Sequence, residues 1–280
     1  MNWNTSFIRM EEIPLSNHES VFPTTSSIPL ENRVASVFVH VTDLRKSAEW
    51  YSSLLGLPIK EERLNGGPVY WFDFQGTHLI LDSNAANHQN PDWNEGMKPR
   101  MMFPARDIDQ AYRYIQDSGE TCFEPERHGT MAYFNFRDPE GNCHMACWTA
   151  VQEDGPEFAA QSPIIPRIGG VFVDVKNMPE AAKWYTDLLG VPLDEAAASQ
   201  NIYSVPVTSG AALLLDQHRH LNQDSFTELF FFETKDFEGA LEFVRNHGFQ
   251  LAGEPNYFPD LREFSLIDPD GNRIVVAQMN

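Results

Sequence analysis

The sequence predicts an α+β protein of two tandem copies of one domain, each copy made of two β-α-β-β-β modules. Two observations carry this. The first is a set of markers that occur twice. Val37-Phe38-Val39-His40-Val41, Glu49-Trp50-Tyr51 and Leu54-Leu55-Gly56-Leu57-Pro58 return as Val171-Phe172-Val173-Asp174-Val175, Lys183-Trp184-Tyr185 and Leu188-Leu189-Gly190-Val191-Pro192. The displacement is constant, because 171 − 37, 184 − 50 and 190 − 56 all equal 134. Asp138-Pro139-Glu140-Gly141-Asn142 likewise recurs as Asp268-Pro269-Asp270-Gly271-Asn272, displaced by 268 − 138 = 130. Spacing that survives so long a stretch marks a duplicated domain of about 120 residues, within the usual range. The second observation is that strand-like runs and capped helices alternate twice inside each copy.

Taken in order, Ala35–Val41 alternates with period two and meets Asp43, a helix N-cap residue. A helix follows through Leu44, Trp50, Tyr51, Leu54 and Leu55 and closes on Gly56. Strands are predicted at Ile59–Leu64, Pro68–Phe74 and Thr77–Asp82, the last two joined by a turn at Gln75-Gly76. The second module restarts with a strand at Arg100–Ala105, an N-cap at Asp107 and a helix to Gly119. Strands at Cys122–Glu126, Met131–Arg137 and Cys143–Trp148 finish it. In the second copy Asn177 and Glu180 make a capping-box-like start, and a further helix runs from Asp236 to Gly248. The domain limits are therefore 33–149 and 167–280, with a Pro-rich linker at 150–166 and an N-terminal arm at 1–32. Within the arm, Phe7-Ile8-Arg9-Met10 has the pattern of a short strand.

Bulk properties narrow the function. With 280 residues, 42% hydrophobic content and 20 Phe, two cores can be filled. The 20 Lys+Arg against 40 Asp+Glu give a formal charge of −20, a field that repels nucleic acid and anionic lipid. No stretch approaches the ~18 apolar residues of a membrane span, and the start has no leader pattern. The three cysteines are too few for a disulfide framework, and Cys143 and Cys147, roughly 13 Å apart along one strand, cannot share a bridge. A cytoplasmic protein without nucleic-acid or membrane partners is expected, as monomer or homodimer.

The strand, Asp-Leu, helix and Trp-Tyr-x-x-Leu-Leu-Gly opening, with the closing Asp-Pro-x-Gly-Asn turn and strand, resembles the vicinal oxygen chelate superfamily. That group includes glyoxalase I, bleomycin resistance proteins and extradiol dioxygenases. The resemblance covers residues 34–149 and 167–280. It implies that paired modules curl their mixed sheet into a cup for a small ligand, helices outside, in many members with a divalent metal on the floor.

The positions at which the resemblance places metal ligands are Ser36 and Gly170 on the first strand of each copy, and Arg100 and Leu229 on the fifth. On the final strand they are Met145 and Val275, and on the fourth Ile80 or Leu81 and Leu214 or Leu215. None is a usual donor to a hard or borderline metal. His40 shares a face with Ser36 and Phe38 and points into the first cup, as a strand-end histidine or as a ligand-contacting imidazole. An unusual metal set of His40, His78 and Asp82 is the alternative. His144 should face the helices, and His88, His218 and His220 fall in polar loops.

The remaining lining of the first cup is Phe38, Trp71 or Tyr70, Met102, Tyr133, Met145 and Cys143, with Arg100 as the fixed cation. An apolar concavity with few polar anchors is the usual make-up of a small-molecule site. Arg100 then needs an anionic partner: a ligand carboxylate, Asp73 or Glu126. The second cup is expected to be lined by Phe172, Asp174, Tyr203, Leu229, Phe231 and Val275. Trp50 and Trp184 read as core anchors. The expected function is the binding of a small aromatic or amphipathic molecule in one or both cups, without the usual metal or any other cofactor. The alternative is a metal-dependent extradiol-type dioxygenase or glyoxalase-like lyase using a ligand set around His40.

Overall fold

The computed structural model describes residues 28–84, 93–150 and 162–279. The strand expected at Phe7–Met10 and the loop holding His88 lie outside them. The first copy runs β1 (Ser36–His40), α1 (Leu44–Leu55), β2 (Val69–Phe72), β3 (His78–Asp82), β4 (Met101–Pro104), α2 (Ile108–Ser118), β5 (Glu120–Thr121), β6 (Glu126–His128), β7 (Met131–Arg137) and β8 (Cys143–Thr149). The second runs β9 (Ile164–Asp174), α3 (Met178–Leu189), β10 (Ile202–Val205), β11 (Ala212–Asp216), α4 (His218–Asn222), β12 (Glu228–Thr234), α5 (Phe237–Asn246), β13 (Gln250–Leu251), β14 (Asn256–Tyr257), β15 (Leu261–Ile267) and β16 (Arg273–Met279). Each copy forms one eight-stranded mixed sheet, ordered β2-β3-β1-β4-β8-β7-β5 and β10-β11-β9-β12-β16-β15-β13, with β6 and β14 pairing onto β7 and β15.

The helix boundaries follow the chemistry expected of them. The Asp43 side chain accepts from Lys46 N, and Gly56 ends α1 in the left-handed conformation at φ 64°. Asp107, Asn177 and Asp236 cap α2, α3 and α5 in the same way.

Two expected strands are absent. Ile59–Leu64 instead holds a 3₁₀ turn at Glu61–Arg63. Side chains pin it: Arg45 bonds Glu61, Arg63 bonds Asp73 and the Trp71 carbonyl, and Lys60 N donates to the Tyr70 hydroxyl. The second copy has the equivalent turn at Ala197–Ser199. Cys122–Glu126 gives only β6, starting at Glu126, because Pro125 interrupts the run. The first module of each copy is therefore β-α-turn-β-β.

Val37, Val39, Leu79, Leu81 and Phe103 project to the helix side of the first sheet and are buried. Their counterparts Val171, Val173, Leu213, Leu215 and Phe232 join the same apolar core, which runs through both copies. Burying one such Leu or Phe side chain contributes about 1.5–3 kcal/mol. No helix among the described residues is long and apolar enough to cross a membrane.

The two copies meet across a seam built from the repeated motifs themselves. Tyr51 of α1 donates to Asp268 Oδ2 at 3.1 Å, and Tyr185 of α3 donates to Asp138 Oδ2 at 2.8 Å. Both tyrosines are fully buried. Each aspartate also gathers its own turn: Asp138 Oδ1 accepts from Glu140 N and Asn142 N, and Asp268 Oδ1 from Asp270 N and Asn272 N. Trp50 packs edge-on to Phe249, and Trp184 lies against Phe136, so both indoles reach the opposite copy. Gly76 and Gly210 face each other at the centre, where a Cβ on Gly76 would stand 2.9 Å from Gly210 Cα.

The seam is chemically unequal. His144, fully buried, reaches the Tyr185 hydroxyl with Nε2 at 2.7 Å. Burial would raise the Asp138 carboxyl, but His144, Asn142 and Tyr185 outweigh it and hold the pKa below the usual value. Ile274 takes the place of His144 in the second copy, and burial dominates at Asp268, raising its carboxyl despite Asn272 and Tyr51. The Tyr185 hydroxyl makes two buried side-chain hydrogen bonds, to Asp138 and with His144, where the Tyr51 hydroxyl makes one, to Asp268. Tyr185→Phe is accordingly expected to destabilise by about 2–3 kcal/mol and Tyr51→Phe by about 1. Urea unfolding of the full chain at pH 7 checks this; equal losses would remove the asymmetry.

Candidate functional site

On β1, Ser36, Phe38 and His40 occupy the face opposite the helices, and the parallel register sets them beside His78, Ile80 and Asp82 of β3. The Phe38 and His40 rings stack 6.2 Å apart. On β2 it is Trp71, opposite Ile80, that shares this face; Tyr70 points into the core at 1% exposure. Met102 lies beside Ser36 and in register with Met145. Tyr133, across from Cys147, donates to Glu126 Oε2 at 2.9 Å, and burial pushes its phenol pKa up.

Arg100 is fixed through its backbone, its N–H donating to Cys143 O and its carbonyl accepting from Phe38 N. Its Nη1 is buried with no hydrogen-bond partner among the described residues. Neither protein partner expected for it takes that role. Asp73 is paired with Lys60 and Arg63, and Glu126 with Tyr133 and His128.

The donors expected for a metal alternative do not converge. His40 Nδ1 accepts from the Asn84 amide at 3.1 Å, so Nε2 carries the proton and donates to Pro99 O at 2.8 Å. Burial, only partly offset by Pro99 and Asp82, lowers its pKa and keeps it neutral. Both ring nitrogens are thus engaged within the protein. Asp82 Oδ1 accepts from Asn84 N, and His78 stands four residues away from it on the same strand, roughly 13 Å. Among the described residues no group of three His, Cys, Asp or Glu side chains is arranged to hold a metal.

The second cup has a different floor. The Phe231 ring lies flat across Gly169 and Gly170, where a Cβ would fall 2.2 and 2.4 Å from ring carbons. Gly170 is the first-strand position to which the resemblance assigns a metal ligand, so the ring fills that space with carbon. Phe231, Leu261, Val275 and Ala277 form a separate buried cluster with Phe172, Leu214 and Phe258 packed on it. They line a half-open cavity of about 190 Å³.

One end of this cavity is charged. Arg219 of α4, 8% exposed, reaches Asp174 Oδ1 at 2.7 Å and Asp216 Oδ2 at 3.2 Å through Nη1, and Glu228 Oε2 at 2.7 Å through Nη2. Thr227 Oγ1 donates to Asp174 and Ser265 Oγ to Glu228, completing the shell. Burial works against the guanidinium charge, but the three carboxylates prevail and its pKa is raised. Glu263 lines the same cavity, and its one side-chain hydrogen-bond partner among the described residues is the Asn256 amide at 3.2 Å. Burial, with the Glu228 and Asp216 charges added, raises its carboxyl pKa.

Two residues expected in this lining lie elsewhere. Tyr203 is in the core at 2% exposure, and its neighbour Ile202 faces the cavity instead. Leu229 packs on the main core, because a bulge in β12 between Glu228 and Phe231 turns Glu228 inward. Arg219, Glu228, Glu263 and Phe258 went unread in the sequence. The Asp216-x-x-Arg219 spacing was the available signal, hidden between two loop-like histidines. A larger open cleft of about 970 Å³ follows the seam past His40, Arg45, Lys98 and Asp270, and no Phe, Tyr or Trp lines it among the described residues.

Residues 33–143 and 167–276 each match the family described as the glyoxalase/bleomycin resistance protein/dioxygenase superfamily. No curated protein matches the chain significantly. Among solved structures, the Mn(II)-bound glyoxalase of Novosphingobium aromaticivorans is similar over 89% of this chain and 82% of its own, with 13% identity and a TM-score of 0.57. Homoprotocatechuate 2,3-dioxygenase of Arthrobacter globiformis is similar over 93% of this chain and 84% of its own, with 17% identity and a TM-score of 0.59. A catechol 2,3-dioxygenase is similar over 89% and 93%, with 10% identity and a TM-score of 0.55. At such identities the likeness concerns the fold.

Removing Arg219 would leave three carboxylates facing one another in a poorly hydrated site. Arg219→Met is expected to cost about 3–5 kcal/mol at pH 7, measured by chemical denaturation. Glu263 should behave oppositely. A carboxyl whose pKa is raised on folding contributes stability below its unfolded pKa of about 4.3, and that contribution is lost as pH rises through the folded value. Glu263→Gln is therefore expected to be more stable than the parent at pH 7, the difference closing below about pH 4. Melting curves across pH check the sign.

Proposed function

Because this chain belongs to the glyoxalase/bleomycin resistance protein/dioxygenase superfamily, whose paired modules make cups, we propose that it binds a small aromatic or amphipathic molecule in its second cup without a metal. The observation that carries this is the half-open cavity whose floor is the Phe231 ring lying on Gly169 and Gly170. A metal there would need imidazole or carboxylate donors at the positions held by Gly170, Leu214 or Leu215, Leu229 and Val275. Apolar walls with a few charged groups at one end suit an organic ligand whose body is desolvated and whose polar end is oriented.

The first cup is, in this reading, a second surface of the same kind, with Phe38, Trp71, Met102, Tyr133 and Met145 as its ligand-facing residues, Arg100 as anchor and His40 as a hydrogen-bonding group at the rim. In this reading the two domains, 33–149 and 167–280, have diverged in what they hold, and neither is assigned a catalytic group. The metal-dependent alternative around His40 is disfavoured by the engagement of both imidazole nitrogens and by the distance to His78.

Screening a library of small aromatic compounds by ligand-observed NMR against the full chain tests the proposal. Binders are expected, and Ala277→Phe, which fills the cavity, is expected to weaken them by about tenfold or more, since the void worth about 1.4 kcal/mol or more of contact is gone. Binding untouched by Ala277→Phe would overturn the assignment to the second cup. A stoichiometric transition metal in protein purified without chelators, lost on His40→Ala, would overturn the metal-free reading.

A further inference from the structure

The charge of the second cup specifies its ligand further. Arg219 is the sole Lys or Arg among the described residues lining the cavity, and it touches three carboxylates. One positive charge against Asp174, Asp216 and Glu228 leaves the polar end negative before Glu263 is considered. Glu263 adds a fourth carboxyl, facing the cavity with one neutral amide donor and, among the described residues, no ion pair, Arg219 acting on it only at a distance. The remaining walls include Phe172, Phe231 and Phe258. Aromatic faces attract cations through their quadrupole, by about 0.5–2 kcal/mol each when desolvated. Arg219 already uses that attraction, with its guanidinium 5.5 Å from the centroid of Phe172.

We infer that the second cup takes a small protonated amine, its hydrocarbon body against the three phenylalanines and its ammonium at Glu263. The inference rests on the reading of this cup as a ligand site and adds the sign of the ligand. An anionic ligand would enter a field that already exceeds its one internal cation. An inorganic cation would need converging oxygens, and the described residues hold no such group. An organic ammonium satisfies both ends. It gives Glu263 the counter-charge that burial and the neighbouring carboxylates withhold, and it covers apolar wall with carbon.

Calorimetric titration of the full chain with three isosteric probes tests this: 2-phenylethylammonium, neutral 2-phenylethanol and 3-phenylpropionate. The ammonium is expected to bind about tenfold more tightly than the alcohol, and the carboxylate more weakly than either. Glu263→Gln, which stays folded by the stability argument above, is expected to erase the ammonium's advantage and leave the alcohol's affinity unchanged. If alcohol or carboxylate binds as tightly as ammonium, or if Glu263→Gln keeps the advantage, the cation inference falls while the cup reading stands, provided Ala277→Phe still blocks the alcohol. If none of the three probes binds the parent protein, the cup reading itself falls, and this inference with it.

Discussion

Two buried hydrogen bonds, Tyr51 to Asp268 and Tyr185 to Asp138, hold the molecule in register, and everything else is arranged around them. Each joins the first helix of one copy to the closing turn of the other. The residues that betray the duplication in the sequence are thus the residues through which the copies grip each other. A buried phenol and a buried aspartate are both costly unless paired, so neither motif can change alone. Glu140 and Asp270 extend the grip, accepting from the backbone amides of Lys176 and Asn177 and of Thr42. With helices on the shared side of both sheets, the opposite faces are left as two separate concavities.

The copies then diverge position by position. His40 and Asp174 stand at equivalent places, one a neutral imidazole tied to Pro99 and Asn84, the other a carboxylate tied to Arg219. Met102 on β4 corresponds to Phe231 on β12, and Ser36 on β1 to Gly170 on β9. The substitution of Phe for Met demands the glycines beneath it. The same seam that holds the framework constant lets these side chains vary, because the one of these residues that joins it, His40, does so through its backbone carbonyl, which accepts from Asn272.

The order of most elements along the chain, the helix caps and the helix-facing positions were legible in the sequence because each rests on local chemistry: period two, Asp or Asn caps, terminal glycines. The placement of Phe38, Met102 and Met145 on a face opposite the helices follows from the same alternation. What was illegible depends on events that break it. The 3₁₀ turn at Glu61–Arg63 is stabilised by side chains from α1 and β2, which no local pattern reveals. The bulge in β12 exchanges Leu229 for Glu228 in the lining, a local slip that leaves Phe231 in its expected place. Arg219 was hidden for a related reason. Its burial depends on Asp174 and Glu228, which stand 45 and 9 residues away in the chain.

The chemistry of the second cup follows from a coupling between Phe231 and the Gly169-Gly170 pair. A ring laid flat on a strand needs two successive residues without Cβ, since the intervening distances of 2.2 and 2.4 Å admit no carbon. A metal-binding first strand needs the reverse, a side chain at Gly170 long enough to reach an ion. The two arrangements exclude each other sterically. A chain with the glycines and the ring therefore offers no side-chain donor at Gly170 and carries an apolar floor there. Its remaining polarity is concentrated where Arg219 can neutralise part of it, and the carboxyl left over, Glu263, sets what the cavity will accept.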